Sequence, residues 1–303
     1  MSILFSTEIL DSIKNELQRA ESSVQIITAY CKNTSFDFLN DCIGEDVNDK
    51  RLLVRFRMDD ILKGSTDFSI IENGFRRGWD VYIRFDLHAK TYIVDKKRGI
   101  VGSANVTNSG LSINRSGNLE MATLVDVEDK DIEKIDKLFL DAIHMDEVLL
   151  EKLSSQINDI STSGDNEIHT WDASITTLFN PSVDTLFSYE LPEEFAFQPG
   201  EYFPFLDETF SGNMELIKES FRWSNAFLWL VKELKENGGC MFFGELSEKL
   251  HNVLVTDPKP YRRDVKVMLS NLLSFIETLQ MEDVVIDRPN YSQRVRFVDS
   301  ITY

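Results

Sequence analysis

HAKTYIVDKKRGIVGSANVTNSGL, residues 88–111, is the stretch on which the reading of this chain turns. His88 and Lys90 stand two apart, four residues separate Lys90 from Asp95, six separate Asp95 from Gly102, and Ser103 and Asn105 follow. Thr91 to Val94 and Ile100 to Gly102 are β-rich runs, and DKKRG between them (Asp95 to Gly99) predicts a hairpin. Residues two apart on an extended chain send their side chains to one face. His88 and Lys90 therefore form one pair and Ser103 and Asn105 another, and the hairpin sets the pairs side by side. An imidazole, an ammonium, a hydroxyl and an amide on one patch suit a phosphodiester. They offer a nucleophile or proton donor, and fixed donors for charge developing on phosphate oxygens.

Outward from this segment, strands and helices alternate. Thr7 to Ala20 carries Ile9, Leu10, Ile13 and Leu17 at helical spacing. Ser23 to Ala29 and Arg51 to Arg57 read as strands, with a short helix around Phe36 to Cys42 between them. Phe68 to Arg77 predicts a helix stopped by Gly78. Val81 to Phe85 and Leu119 to Val125 predict strands, and Asp129 to Ile143 a helix. The fold class expected is an α/β sandwich. Ser161 to Gly164 is a small polar break. Beyond it lies an acidic stretch with nine Phe or Tyr from Phe179 through Phe210. That stretch is expected to wrap the first domain, its aromatics buried; the sharper reading is an inhibitory segment around Glu190 to Glu208 occupying a basic cleft. Helices over Ser224 to Glu236, Gly244 to Val253 and Arg263 to Leu279 precede runs at Asp283 to Ile286 and Arg294 to Val298. Three helices and a hairpin outline a winged helix. The expected division is a catalytic domain over 1–160, a linker or wrapping segment over 161–220, and a smaller, mainly helical domain over 221–303.

Residues 88–105 match HxKx4Dx6GSxN at every fixed position, and in this the chain resembles the phospholipase D superfamily, loosely over residues 1–150. The resemblance implies a phospholipase D-like α/β sandwich and no cofactor or metal. It makes His88 a nucleophile or general acid, has Lys90 and Asn105 stabilise the phosphorane, and has Ser103 assist. Glu120, in Asn118-Leu119-Glu120, is the candidate for the carboxylate that orients the histidine in superfamily nucleases. Asp95 is read as fixing the turn, and Gly102 as part of the structural motif. Two motifs face each other in one superfamily site, yet His144, His169 and His251 have no lysine two residues on. One chain thus holds half a site, and a twofold homodimer is expected. HAKTYIV and VGSANVTNSGL resemble the restriction-endonuclease-type branch. The implied activity is cleavage of nucleic acid, DNA before RNA, in restriction or anti-phage defence, alone or with a helicase-like partner. Two other classes stay open: a phospholipase or phosphatidyl transferase at membranes, and a non-catalytic adaptor in a larger DNA-processing complex.

Composition sets the bounds. The 303 residues are 42% hydrophobic and 27% charged, ordinary for globular domains. No apolar run approaches the ~18 residues that span a bilayer, and no membrane partner is expected. Three widely spaced cysteines form no disulfide framework, and together with the absence of a basic leader they point to the cytoplasm. The net charge of −19 argues against a polyanion partner, but it is uneven. Lys50 to Arg98 holds twelve basic and seven acidic residues, and Leu153 to Ile217 none and twelve. Arg55 and Arg57, with Arg51, Arg76, Arg77 and Arg84, are candidates for a substrate-binding patch. Phe221 to Tyr303 is balanced at eleven of each, with Lys259, Arg262, Arg263 and Lys266 clustered at its third helix.

Overall fold

A computed structural model describes residues 3–113, 117–163 and 170–298. The chain divides into two compact units, 1–171 and 172–303. In the first, β1 (Ile3–Phe5), α1 (Thr7–Gln18), β2 (Ser23–Thr28), α2 (Asn33–Asn40), β3 (Asp49–Arg55), α3 (Met58–Leu62), α4 (Ile70–Arg76) and β4 (Asp80–Arg84) come first. The hairpin β5 (Lys90–Val94) and β6 (Arg98–Gly102) follows, then β7 (Met121–Asp126), α5 (Asp129–Leu140), β8 (Ile143–His144) and α6 (Glu147–Ser163). The strands form one eight-stranded sheet in the order β1-β7-β6-β5-β2-β3-β4-β8. β2, β3 and β4 run parallel through helical crossovers, and the remaining pairs are antiparallel.

Every residue of SVQIIT in β2 is buried, as a central strand covered on both faces requires. One face receives α1, whose Ile9, Ile13 and Leu17 are buried and whose Glu16 pairs with Arg98 of β6 at 2.6 Å. On the other face Phe139 of α5 packs with Ile27, Leu53 and Leu87. The expected α/β sandwich is therefore the fold of this unit. Asp129 to Ile143 is not one helix: it ends at Leu140, and Ile143–His144 joins the sheet beside β4. At the far end of the unit Trp171 stacks on Phe56 at 5.9 Å.

The second unit contains α7 (Ala173–Thr176), β9 (Tyr202–Phe203), β10 (Glu208–Thr209), α8 (Met214–Arg222), α9 (Asn225–Glu236), β11 (Cys240–Phe242), α10 (Phe243–Val253), α11 (Arg262–Leu279), β12 (Val284–Asp287) and β13 (Arg294–Phe297). From α9 onward the elements run helix, strand, helix, helix, hairpin, and the three strands form the sheet β11-β13-β12. The aromatic stretch before it differs from its expected place as a linker or as a wrap over the first domain. Phe203 and Phe210 are buried in the core of this second unit and Phe195, Phe197 and Phe205 pack against it, while Phe187, Tyr189 and Tyr202 stay exposed. Phe275 of α11 is met by Phe195 at 4.8 Å, Phe205 at 5.1 Å, Phe197 at 5.3 Å and Phe203 at 5.6 Å. Leu186 is bound through its backbone to Val253 and Val255. Burial of large rings outweighs the linker-like composition, because each removes some 150–250 Å² from water. The polar break at 161–164 is not an edge either: residues 161–163 close α6, and Gly164 lies outside the described residues, as does His169.

Candidate active site

The parallel strands β2, β3 and β4 end at Thr28, Arg55 and Arg84, all at one end of the sheet. Antiparallel neighbours bring their opposite ends there: the start of β5, the end of β6 and the start of β7. Thr28 is registered with Lys90, Thr91 with Val101, and Gly102 with Ala122. His88, Lys90, Ser103, Asn105 and Glu120 thus gather at one end of the sheet from three segments.

The turn between β5 and β6 places Asp95 and Lys96 at positive φ, 53° and 54°. The Asp95 carboxylate accepts from the backbone N–H groups of Glu21, Ser22 and Ser23 and from the Ser22 hydroxyl at 2.7–3.2 Å. Those bonds outweigh partial burial and hold its acid below the usual carboxylate range. Asp95 ties the hairpin to the α1–β2 connection, at the end of the strands away from His88. Gly102 is required by closeness: a Cβ there would lie 2.4 Å from the Met121 carbonyl oxygen.

His88 precedes β5 and is exposed, and its ring makes no hydrogen bond among the described residues. Partial desolvation first, then the charges of Lys90, Arg55 and Arg57, lower its pKa below the ordinary imidazole value, opposed by Asp60. The neutral, nucleophilic form is therefore favoured. Lys90 is buried and donates to the His88 carbonyl at 2.7 Å. Desolvation and Arg55 lower its pKa as well, against Glu120.

Ser103 donates its hydroxyl to the Glu120 carboxylate in a short bond and accepts from the Met121 N–H at 3.1 Å. Glu120 is buried and also accepts from the Asn118 amide at 3.2 Å. It makes no hydrogen bond to His88; its partners are the serine and the amide. Asn105 is half-buried, and its Oδ1 accepts from the Tyr30 N–H at 3.0 Å, with the Thr28 hydroxyl at 3.3 Å. Its oxygen being taken, the amide NH2 is the end left to donate to a ligand. Tyr92 is buried and donates its hydroxyl to the Ala104 carbonyl at 2.9 Å, fixing the loop between Ser103 and Asn105.

The arginines form no open patch. Arg55 makes a bidentate pair with Asp60 at 2.8 and 2.9 Å and donates to the Tyr30 hydroxyl at 2.6 Å. Arg57 donates to the Phe85 carbonyl. Arg51 pairs with Asp49 and Asp136, Arg77 with Asp37 and Asp41, and buried Arg84 with Asp86. Arg76 donates to Asn73. Arg55 and Arg57 act on the site through their fields at His88. Thr28, Tyr30, Asp60 and Tyr92 were not foreseen from sequence. Nothing local distinguishes them, since they reach the motif across 12 to 77 residues of chain. No group of three or more His, Cys, Asp or Glu that could hold a metal occurs among the described residues. None of their helices is long and apolar enough to cross a membrane.

Residues 13–143 match the family model described as "Cardiolipin synthase, PLD-like domain". Similar solved structures include Nuc from Salmonella typhimurium, a phospholipase D family member, at 15% identity, 48% of this chain, 96% of that one and a TM-score of 0.38. NucT from Helicobacter pylori aligns at 14% identity over 48% and 98%, with a TM-score of 0.37. The phosphatidylserine synthase of Haemophilus influenzae Rd KW20 aligns at 15% over 53% and 46%, with a TM-score of 0.38. No curated protein sequence matches. With the signature complete from His88 to Asn105 inside the matched residues, the first unit carries a phospholipase D-like domain.

Proposed function

We propose that this chain is a metal-independent nuclease that cleaves nucleic acid, DNA before RNA, through a phosphohistidine intermediate, as a homodimer with one motif per subunit. The observation that carries the reading is the meeting of His88, Lys90, Ser103, Asn105 and Glu120 at one end of the sheet, with the His88 imidazole unbonded and held toward its neutral form. An imidazole nitrogen attacks phosphorus, an N–P bond forms, and the P–O ester bond breaks. The leaving oxygen takes a proton from the imidazolium of the second copy. Water then attacks phosphorus, the N–P bond breaks, and the second imidazole, now neutral, takes the water's proton. Lys90 and the Asn105 amide stabilise the added negative charge on the phosphate oxygens. Ser103 and Glu120 hold the strand ends that carry them.

A second copy is needed because each chain supplies one such imidazole, and an uncovered apolar face supports it. α5 covers the sheet over β2 and β3, while the same face of β1, β6 and β7 presents Phe5, Val101 and Met121, each between 43% and 50% exposed, with Ile3 at 64%. Leu119 is 84% exposed one residue before Glu120. A contiguous apolar face beside the site is the surface a copy of this chain would bury. The resemblance of HAKTYIV and VGSANVTNSGL to the restriction-type branch adds a cytoplasmic role in restriction or anti-phage defence, alone or with a helicase-like partner.

The test is incubation with supercoiled plasmid, single-stranded DNA and phospholipid vesicles in EDTA, for wild type and His88→Ala, with light scattering on both. Nicking that survives EDTA and is lost in His88→Ala, by a particle of two subunits, is expected. Lipid turnover without nicking, or nicking indifferent to His88, overturns the nuclease; cleavage by a monomer overturns the dimer.

A further inference from the structure

The cations of the second unit fall into two groups. Arg222 pairs with Asp283, Lys218 with Glu282, Lys232 with Asp184, Lys249 with Glu233, and Arg294 and Arg296 share Asp287. Lys235 donates to the carbonyls of Thr177 and Phe179. By contrast Arg262, Lys266 and Arg288 are exposed and have no ion pair or hydrogen bond among the described residues. Arg263, also exposed, reaches only its neighbour Asp264, and Lys259 only a carbonyl at 3.4 Å. In a chain of net charge −19, carboxylates are plentiful, so the cations left without one stand out.

Two of them share a groove. Arg262 and Lys266 lie one turn apart on α11 and rim, with Ser247 and His251 of α10, an open groove between the two helices. Glu248 lines the same groove without coming within ion-pair distance of either. Arg288 and the fully exposed Tyr291 stand on the connection between β12 and β13, the wing. For the stability of α11 alone this arrangement is adverse. Cations in a first turn oppose the positive end of the helix dipole, and like charges at i and i+4 repel. A feature that local energetics disfavour in an otherwise well-paired unit indicates an anion supplied from outside.

We infer that the exposed face of α11, with Arg262 and Lys266, and the wing at Arg288 and Tyr291 grip the backbone of a nucleic-acid duplex. An α-helix 10–12 Å across fits the ~12 Å major groove, which an extended strand or a flat acidic surface does not offer. Two cations one turn apart meet phosphates lining the groove, and the wing cation meets a further phosphate. The inference extends the nucleic-acid reading proposed above by naming where duplex is held, but stands on residues remote in sequence from His88.

The experiment is fluorescence anisotropy with a labelled 24-base-pair duplex in EDTA, using the full chain, across 50 to 200 mM salt. Arg262→Gln with Lys266→Gln is expected to weaken binding about tenfold and to lower the slope of log affinity against log salt by about 1.8, two phosphates at ~0.9 each. The charge-matched control, Lys130→Gln with Lys134→Gln on the exposed side of α5, keeps both. All four positions are exposed, and unchanged thermal unfolding is checked alongside. Binding and slope unaffected by the α11 pair, equal affinity for a single strand, or equal competition by polyglutamate would each overturn the inference. If duplex binding depends on Arg262 and Lys266 yet plasmid stays intact in EDTA, the nuclease reading falls and this surface stands.

Discussion

Thr28 is the position from which the site's geometry can be tested without touching its chemistry. It is fully buried at the end of β2. Its hydroxyl donates to the Tyr30 carbonyl at 2.8 Å, lies 3.3 Å from Asn105 Oδ1, and accepts from the Val106 N–H at 3.2 Å. Thr28→Val keeps the shape and removes the hydroxyl, leaving the buried Val106 N–H and the Tyr30 carbonyl short of a partner. At about 1–3 kcal/mol for each of the two buried groups left unpaired, the loss is about 2–6 kcal/mol. Thr28→Ser keeps the hydroxyl, with its donor bond to Tyr30 and its acceptor bond from Val106, and gives up one methyl, about 1 kcal/mol. In urea unfolding, Thr28→Val should therefore lie roughly 1–5 kcal/mol below Thr28→Ser. The same bonds hold Asn105 with its NH2 available, and a misplacement near 1 Å costs up to about a hundredfold in rate. EDTA-resistant plasmid nicking should fall between tenfold and a hundredfold in the valine variant and by less than about threefold in the serine one. Equal stability and equal nicking by the two variants would refute the claim that this hydroxyl organises Asn105.

The remaining predictions address other parts of the unit. Asp95→Asn removes a carboxylate that accepts four donors and should lower stability by about 1–3 kcal/mol with little change in cleavage rate, read by denaturant titration beside the nicking assay. Because the Asp95 pKa is depressed in the fold, its contribution is present above the unfolded carboxylate value of about 3.9 and is lost as pH falls below it. Arg57→Gln removes a positive field from His88, so the imidazole pKa rises and the acid limb of the pH–rate profile moves to higher pH; NMR titration of the ring should move with it. Gly102→Ala drives a Cβ into the Met121 carbonyl, forcing β6 and β7 apart, and should cost about 1–3 kcal/mol or prevent folding, seen in soluble yield and thermal unfolding. Leu119→Asp, on the exposed apolar face, should leave a folded monomer by light scattering that no longer nicks plasmid.

Much of this molecule is legible from local sequence, and the reason is range. The hairpin from Lys90 to Gly102, the amphipathic α1 and the helices α9 to α11 with their closing hairpin follow from periods of 2 and 3.6 within a few residues. His88, Lys90, Ser103 and Asn105 converge because one short turn joins their strands. The exceptions are decided by partners far along the chain. Arg55 and Arg57 read as free cations until β3 and α3 bring Arg55 to Asp60, and β4 brings the Phe85 carbonyl to Arg57. Glu120 was expected beside the histidine, yet the β6–β7 pairing sets its carboxylate against Ser103. The aromatic stretch read as a wrap because composition says that rings are buried but not against what.

What the sequence alone determined is which candidate groups meet at the hairpin, since alternation along a strand and one tight turn are properties of neighbouring residues. Tertiary structure alone decided which of them are anchored, which cations are already neutralised, and which apolar face is left bare. Those outcomes depend on sheet order and crossovers, which bring together residues dozens of positions apart and leave no mark on local composition.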